Sequence, residues 1–187
     1  MKAYQALSLL CFGLSLSPSA FALTYGEAKS LAKSLPIQYL DTVDHGKLCE
    51  ILGVKVVQDL NPGAEVLNGV EYRKNGRTIG ELDLVILRDS IVTDVIEVKC
   101  MASYKKAANK ADDQLERFAG YIGRCDVDFS LQGQKMPCNA FGNPDIRLGK
   151  MSYTDATSAG FDYDLDFSRK EILALIKDAR ASYSKAD

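Results

Sequence analysis

The sequence predicts a mixed α/β fold in which a central mixed β-sheet is flanked by helices. Asn75-Gly76, a strong signal for a tight hairpin turn, separates a strand-like segment from the apolar run Arg77 to Leu87. A short connection, Arg88-Asp89-Ser90, joins that run to a second one that ends at Cys100, which favours an antiparallel hairpin. From Ser103 to Gly123, apolar residues recur three and four positions apart, as in an amphipathic helix. The predicted core is therefore a helix, a three-strand meander and a helix.

The first helix of this core and two further helices are predicted from local signals. The segment Asp44 to Leu52 is predicted to form a short helix that ends at Gly53. In two other places a Ser or Thr is followed three residues later by Glu, the capping box that begins a helix. These pairs predict a helix near the N-terminus, ending before Pro36, and a final helix near the C-terminus. The two capping boxes are Thr24 with Glu27 and Ser168 with Glu171.

Length and composition favour one globular domain. The chain has 187 residues and 47% hydrophobic content, enough for a core, and shows no internal repeat or second domain boundary. The segment 126–167 is rich in Gly, Asn, Asp and Ser and is predicted to form loops around one strand near residues 146–153. The formal net charge of −2 argues against a protein that coats nucleic acid, because such proteins carry a basic surplus.

The first 22 residues are typical of a secretory signal peptide. Lys2, an apolar run and the small residues around Phe21 predict cleavage after Ala22, so that the mature domain would span residues 23–187. No later segment approaches the roughly 18 apolar residues that a membrane span needs. We therefore expect a secreted or periplasmic protein without a membrane partner after cleavage.

The cysteine count predicts two disulfides. Of five cysteines, Cys11 would leave with the signal peptide, and an even number in an exported chain favours disulfides, with three connectivities open. A zinc site is the competing interpretation, but the sequence lacks CxxC spacing. Side-chain alternation places Cys100 opposite Lys99, toward a covering helix that could carry Cys49. The expected pairs are Cys49 with Cys100 and Cys125 with Cys138.

Charged side chains interrupt the two strands of the hairpin. Burying a charge is costly unless a partner compensates it, so these charges indicate a site. Because side chains alternate along a strand, Glu81 and Asp83 should share one face of the first strand, and its Leu and Ile residues the other. Glu97 and Lys99 should likewise share a face of the second strand. Pairing of the two strands would then bring Asp83, Glu97 and Lys99 together.

Two carboxylates near a main-chain carbonyl suit a hard divalent cation, with Mg²⁺ expected and Mn²⁺ as the alternative ion. An ammonium group two residues beyond a ligand can hold a bound water and offset negative charge on phosphorus. The alternative is a surface hairpin whose charges pair across the strands. Nearly continuous Leu, Val and Ile runs argue against it, because an exposed hairpin would alternate polar residues more regularly.

Asp83 followed by Glu97-Val98-Lys99 after a hairpin turn resembles the motif of the PD-(D/E)XK nuclease superfamily, which has a restriction-endonuclease-like core. Leu82 stands where proline often precedes the first acid. The resemblance implies that Asp83, Glu97 and the Val98 carbonyl ligate the metal. It also implies that Lys99 serves the attacking water and that the substrate is DNA.

The same resemblance covers roughly residues 50–123 and implies supporting residues. Glu50 would be the extra acid on the first core helix, and Gln114 would lie near the metal cluster on the helix that follows. Glu81 would ligate a second ion or orient water. The alternatives are a surface glutamate for Glu50 and a solvated helix-border amide for Gln114.

The helix after the hairpin carries a basic stripe beside its apolar face. At about 100° per residue, Lys106, Lys110, Arg117 and Arg124 fall in one row. Such a row could grip a phosphate backbone, with an affinity that salt weakens. The alternative is an ordinary solvated helix face.

The sequence thus predicts an exported Mg²⁺-dependent nuclease that cleaves DNA. The second hypothesis is a non-catalytic extracytoplasmic binding protein on a nuclease-like fold. Intact Glu97 and Lys99 favour the first.

Overall fold

The computed structural model describes residues 23–40 and 45–183 and shows a seven-stranded mixed sheet with helices packed against it. The predicted α/β class is confirmed, whereas the predicted signal peptide lies outside the described residues. The helices are α1 (Tyr25–Ser34), α2 (Gly46–Leu60), α3 (Tyr104–Ala119) and α4 (Arg169–Tyr183). The strands are β1 (Glu65–Lys74), β2 (Arg77–Arg88), β3 (Ile91–Val98), β4 (Asp128–Leu131), β5 (Gln134–Met136), β6 (Arg147–Ser152) and β7 (Tyr163–Asp164).

The sheet order is β5-β4-β1-β2-β3-β6-β7. Strands β1, β2 and β3 form the predicted antiparallel meander, while β6 runs parallel to β3 and β7 parallel to β6. Asn75 and Gly76 both adopt positive φ angles, +51° and +76°, as a two-residue hairpin turn of this kind requires. The predicted turn is confirmed.

Two apolar clusters cover the two faces of the sheet. The larger cluster joins α1, α2 and α4 to Leu84 and Ile86 of β2, and the second joins α3 to Val85. Leu82 packs in the second cluster with Val70, so the prediction that it shares a face with the other Leu and Ile residues of β2 is wrong. Regular alternation along β2 is therefore interrupted at Asp83.

Helix α2 does not end at Gly53 as predicted, and this boundary is wrong. The helix runs from Gly46 to Leu60, and Gly53 lies inside it. A Cβ at Gly53 would lie 3.0 Å from Met151 Sδ and 3.2 Å from Leu84 Cδ1. The missing side chain thus permits close packing of the helix on the sheet and does not act as a stop signal.

Both predicted capping boxes are confirmed. At α1, the Thr24 amide donates to Glu27 Oε2 at 2.9 Å, and the Glu27 amide donates to Thr24 Oγ1. At α4, Ser168 and Glu171 make the equivalent pair of bonds. Within segment 126–167, the predicted strand is confirmed as β6, but the loop prediction misses β4, β5 and β7.

Both predicted disulfides are confirmed. Cys49 of α2 is bonded to Cys100, which follows β3, and Cys125 is bonded to Cys138. The first bond ties α2 to the end of the strand that carries Glu97. Among the described residues, no helix has the length and apolarity needed to cross a bilayer.

Candidate active site

The acids of the predicted site meet where β2 and β3 stop pairing. The last paired residues of this ladder on that side are Leu84 and Ile96. Beyond them, Asp83 Oδ2 accepts a hydrogen bond from the Val98 main-chain N–H at 2.8 Å. A side chain thus takes the place of a strand carbonyl and satisfies a buried amide.

Lys99 joins the two acids. Its Nζ lies 2.5 Å from Asp83 Oδ2 and 2.7 Å from Glu97 Oε2. Relative exposure is 7% for Asp83, 0% for Glu97 and 9% for Lys99. The structure therefore brings the three predicted side chains together in a buried position, which is not the solvated arrangement of a surface hairpin.

The site holds two carboxylates around one ammonium group. Burial, and after it the charge of Asp83, raise the pKa of Glu97 to about 8, although the positive charge of Lys99 lowers it. For Lys99, burial is the largest effect and lowers the pKa, but the charges of Asp83 and Glu97 together outweigh it, so its pKa is raised. Lys99 thus stays positive while the two acids compete for one counter-charge.

Two of the predicted site residues each have a buried oxygen that lacks a hydrogen-bond partner among the described residues. The two oxygens are Glu97 Oε1 and Gln114 Oε1. Buried polar atoms are rarely left unsatisfied, so such atoms point to a missing water, ion or ligand group. Gln114 lies on α3, which packs against the face of the sheet opposite α2.

The residues fit a divalent cation with an open coordination sphere. Two carboxylates and the Val98 carbonyl would supply oxygen ligands, and Mg²⁺ usually takes one or two carboxylates and keeps several waters. Within residues 23–40 and 45–183, no group of three or more His, Cys, Asp or Glu residues is placed to hold a metal ion, so a site here would use two carboxylates. The unpartnered Glu97 Oε1 is the oxygen that an added cation would satisfy.

The amide of Asn68 holds Asp83 from the other side, a role that the sequence analysis missed. Its Nδ2 donates to the Asp83 main-chain carbonyl at 2.8 Å and to Glu50 Oε2 at 3.0 Å. Its Oδ1 accepts from Lys47 Nζ at 2.7 Å. A glycine within a strand often marks an irregular backbone, and Gly69 was the sequence signal that could have pointed to this region. Its φ of +76° confirms that the backbone of β1 is irregular there.

Glu50 and Glu81 flank this cluster. Glu50 is half-buried and paired with Lys47 at 2.8 Å. The Glu81 carboxylate lies over Gly69, where a Cβ would be 2.9 Å from Glu81 Oε1. Partial burial raises the pKa of Glu81, and the charges of Glu50 and then of Asp83 raise it further. Both acids are thus close enough to influence the site, although neither bonds to Lys99 in the described structure.

The predicted basic stripe is present on α3 for three of its four residues. These residues are exposed and make no salt bridge within the described part of the chain: Lys106, Lys110 and Arg117. Arg124 does not belong to this stripe, so that prediction is wrong. The helix ends at Ala119, before Gly120, and Arg124 instead pairs with Asp126 at 2.7 Å. Three of the four cations of the predicted stripe therefore lie on the helix that follows the strand carrying Glu97.

The fold and the site define a general class: a helix-flanked mixed sheet with two buried acids and an amine where neighbouring strands diverge. Comparisons with models of protein families, with curated proteins and with solved structures found no match. The function is therefore inferred from the geometry of the site and from the sequence pattern.

Proposed function

We propose that the protein is an exported, Mg²⁺-dependent nuclease that hydrolyses phosphodiester bonds of DNA. The observation that carries the proposal is the buried convergence of Asp83, Glu97 and Lys99, with one oxygen of Glu97 left unpartnered. The resemblance to PD-(D/E)XK nucleases falls on the same three residues. Geometry and sequence pattern therefore support one chemistry.

Asp83, Glu97 and the Val98 carbonyl would hold the ion. A bound Mg²⁺, or Mn²⁺ in its place, supplies Lewis acidity that lowers the pKa of water and offsets charge at phosphorus. The Val98 amide and Asn68 fix the orientation of Asp83. The Lys99 ammonium has donors to hold the attacking water or a phosphate oxygen once an ion shares the carboxylates.

The α3 cations would bind the substrate backbone. Lys106, Lys110 and Arg117 are exposed and unpaired within the described residues, so they are free to contact phosphates. Gln114 lies on the same helix and would support the site through its buried amide oxygen. DNA is favoured over RNA by the resemblance.

Export is supported by the two disulfides, which are typical of oxidising compartments. The predicted signal sequence at residues 1–22 adds to this support. We propose secretion or delivery to a periplasm, with cleavage after Ala22.

The direct test is incubation of the purified protein with plasmid DNA. We expect cleavage with Mg²⁺, no cleavage with EDTA, and none by a Lys99→Ala variant. Because Lys99 separates two buried acids, thermal melting must show that this variant is folded, and Glu97→Gln provides a neutral second variant. Lack of cleavage of DNA and RNA by the wild type with either Mg²⁺ or Mn²⁺ would overturn the proposal.

A binding protein without activity is the second candidate. One observation favours it: Lys99 contacts both acids directly and so compensates part of their charge without an ion. The same experiment separates the two candidates. Wild-type protein that binds DNA in a gel-shift assay but never cuts it would support the second.

A further inference from the structure

The main-chain nitrogen of Leu23 points at an acid far away in the sequence. It donates a hydrogen bond to Asp166 Oδ2 at 2.8 Å across 143 positions. The Leu23 side chain is only 5% exposed and belongs to the larger apolar cluster. The next residue, Thr24, caps α1. The chain is thus fixed in place at the residue that precedes the helix cap.

Helices α1 and α4 begin side by side at this point. Lys29 pairs with Asp178 at 2.6 Å, and farther along the Tyr183 hydroxyl donates to the Leu35 carbonyl at 2.5 Å. The two helices therefore run parallel, and their N-termini meet near Asp166. Positive charge is unfavourable at a helix N-terminus, so an amine placed here needs a carboxylate beside it.

We propose that Asp166 is the binding site for the α-ammonium group of the processed chain. This inference rests on the proposed export. A signal peptidase would hydrolyse the Ala22–Leu23 peptide bond with one water, which leaves a carboxylate on Ala22 and, after protonation, an ammonium on Leu23. The nitrogen that donates one hydrogen bond as an amide then carries a positive charge and three N–H donors.

Cleavage thereby strengthens a contact that already exists. Hydrogen bonds between charged partners are shorter and stronger than neutral ones. Removal of the leader therefore also strengthens the attachment of α1 to α4, because both involve the contact between the Leu23 nitrogen and Asp166 Oδ2. A carboxamide at position 166 would leave the new positive charge beside two helix N-termini without its counter-charge.

The test uses the full chain, expressed with its own leader, and the product recovered after export. Intact mass measurement should give a chain that begins at Leu23. A leucine aminopeptidase then reports how firmly the N-terminus is held, because the terminal residue must leave its site before it can be released. We expect the Asp166→Asn variant to release leucine at least about fivefold faster than the wild type, a factor that corresponds to roughly 1 kcal/mol.

Two further variants keep the result interpretable. Asp166→Glu retains the charge and should restore most of the protection if Asp166→Asn is folded poorly. Asp178→Asn removes an exposed acid from the same helix pair and should leave the release rate close to that of the wild type. Equal release rates for wild type and Asp166→Asn, or an exported chain that begins elsewhere, would overturn the inference. Neither result depends on whether the protein cuts DNA.

Discussion

Strand β3 carries two buried carboxylates that look alike in isolation. Asp94 is 2% exposed and Glu97 is 0% exposed, and each has one oxygen without a hydrogen-bond partner among the described residues. Each is also paired with a cation. Asp94 Oδ1 lies 2.6 Å from Arg147 Nε, and Glu97 Oε2 lies 2.7 Å from Lys99 Nζ.

The surroundings of the two acids differ. The Arg147 side chain is 72% exposed and serves one acid, whereas the Lys99 side chain is 11% exposed and lies between Glu97 and Asp83. A buried acid with one cation of its own has the arrangement of a structural ion pair. Where two acids share one buried cation, the negative charge is only partly compensated. This excess of negative charge distinguishes the candidate active site from the Asp94–Arg147 pair.

The largest expected effect is on catalysis. Replacing Glu97 by Gln should lower the rate of plasmid cleavage by at least about 100-fold, since it would remove a proposed metal ligand and a charge from the candidate active site. Asp94→Asn is the matched control, because it neutralises a buried acid on the same strand. The Asp94→Asn variant should cleave plasmid at a rate within about threefold of the wild-type rate, because substitutions away from an active site usually have small effects. Similar losses in both variants would remove the distinction between the two acids.

The next effect concerns the residue that orients Asp83. Asn68→Ala should weaken Mg²⁺ binding by about 10- to 100-fold, the usual cost of losing a group that orients a ligand. Asn143→Ala is the control, because Asn143 Nδ2 also donates to a main-chain carbonyl, that of Val92, near the other end of β3. The measurement is a Mg²⁺ titration by calorimetry, with thermal melting of both variants. Equal Mg²⁺ affinities for the two variants would show that Asn68 has no special role.

The sequence predicted the parts of this site that depend on strand periodicity and hairpin length. The alternation of side chains along a strand was enough to place Glu97 and Lys99 on one face of β3. The short turn between β2 and β3 was enough to bring them close to Asp83 on the neighbouring strand. It could not show that regular alternation breaks at Asp83, because this break depends on the positive φ of Gly69 and on divergence from β3. The role of Asn68 depends on the same irregularity and was missed for that reason.

The fold shows the same division between local and tertiary signals. Capping boxes and the Asn75-Gly76 turn are local and were predicted correctly. The predicted helix stop at Gly53 is wrong because the sequence does not show that Met151 and Leu84 approach this glycine closely. The hairpin of β4 and β5 was missed since its strands have only four and three residues, too few for a clear alternation of side chains.

A further prediction concerns the pH dependence of stability in the absence of metal. The pKa of Glu97 is raised from 4.5 to about 8 in the folded state, so folding favours its protonated form. The resulting contribution to the free energy of unfolding is fully present below about pH 4.5 and is lost as the pH rises toward 8. Relative to Glu97→Gln, the wild type should therefore lose stability across this window.

Urea unfolding in EDTA between pH 5 and pH 8 measures this difference. Asp94→Asn retains Glu97 and should keep the pH dependence of the wild type. If the free energy of unfolding changed with pH in the same way for wild type and Glu97→Gln, the account of two acids that compete for one cation would be contradicted.

The most direct test of the central claim is calorimetric titration of Mg²⁺ into wild type, Glu97→Gln and Asp94→Asn. A cation site at Asp83 and Glu97 predicts saturable binding by the wild type and by Asp94→Asn. In Glu97→Gln, the affinity should fall at least about tenfold, since a charged ligand is lost. Absence of binding by the wild type, or unchanged affinity in Glu97→Gln, would contradict it.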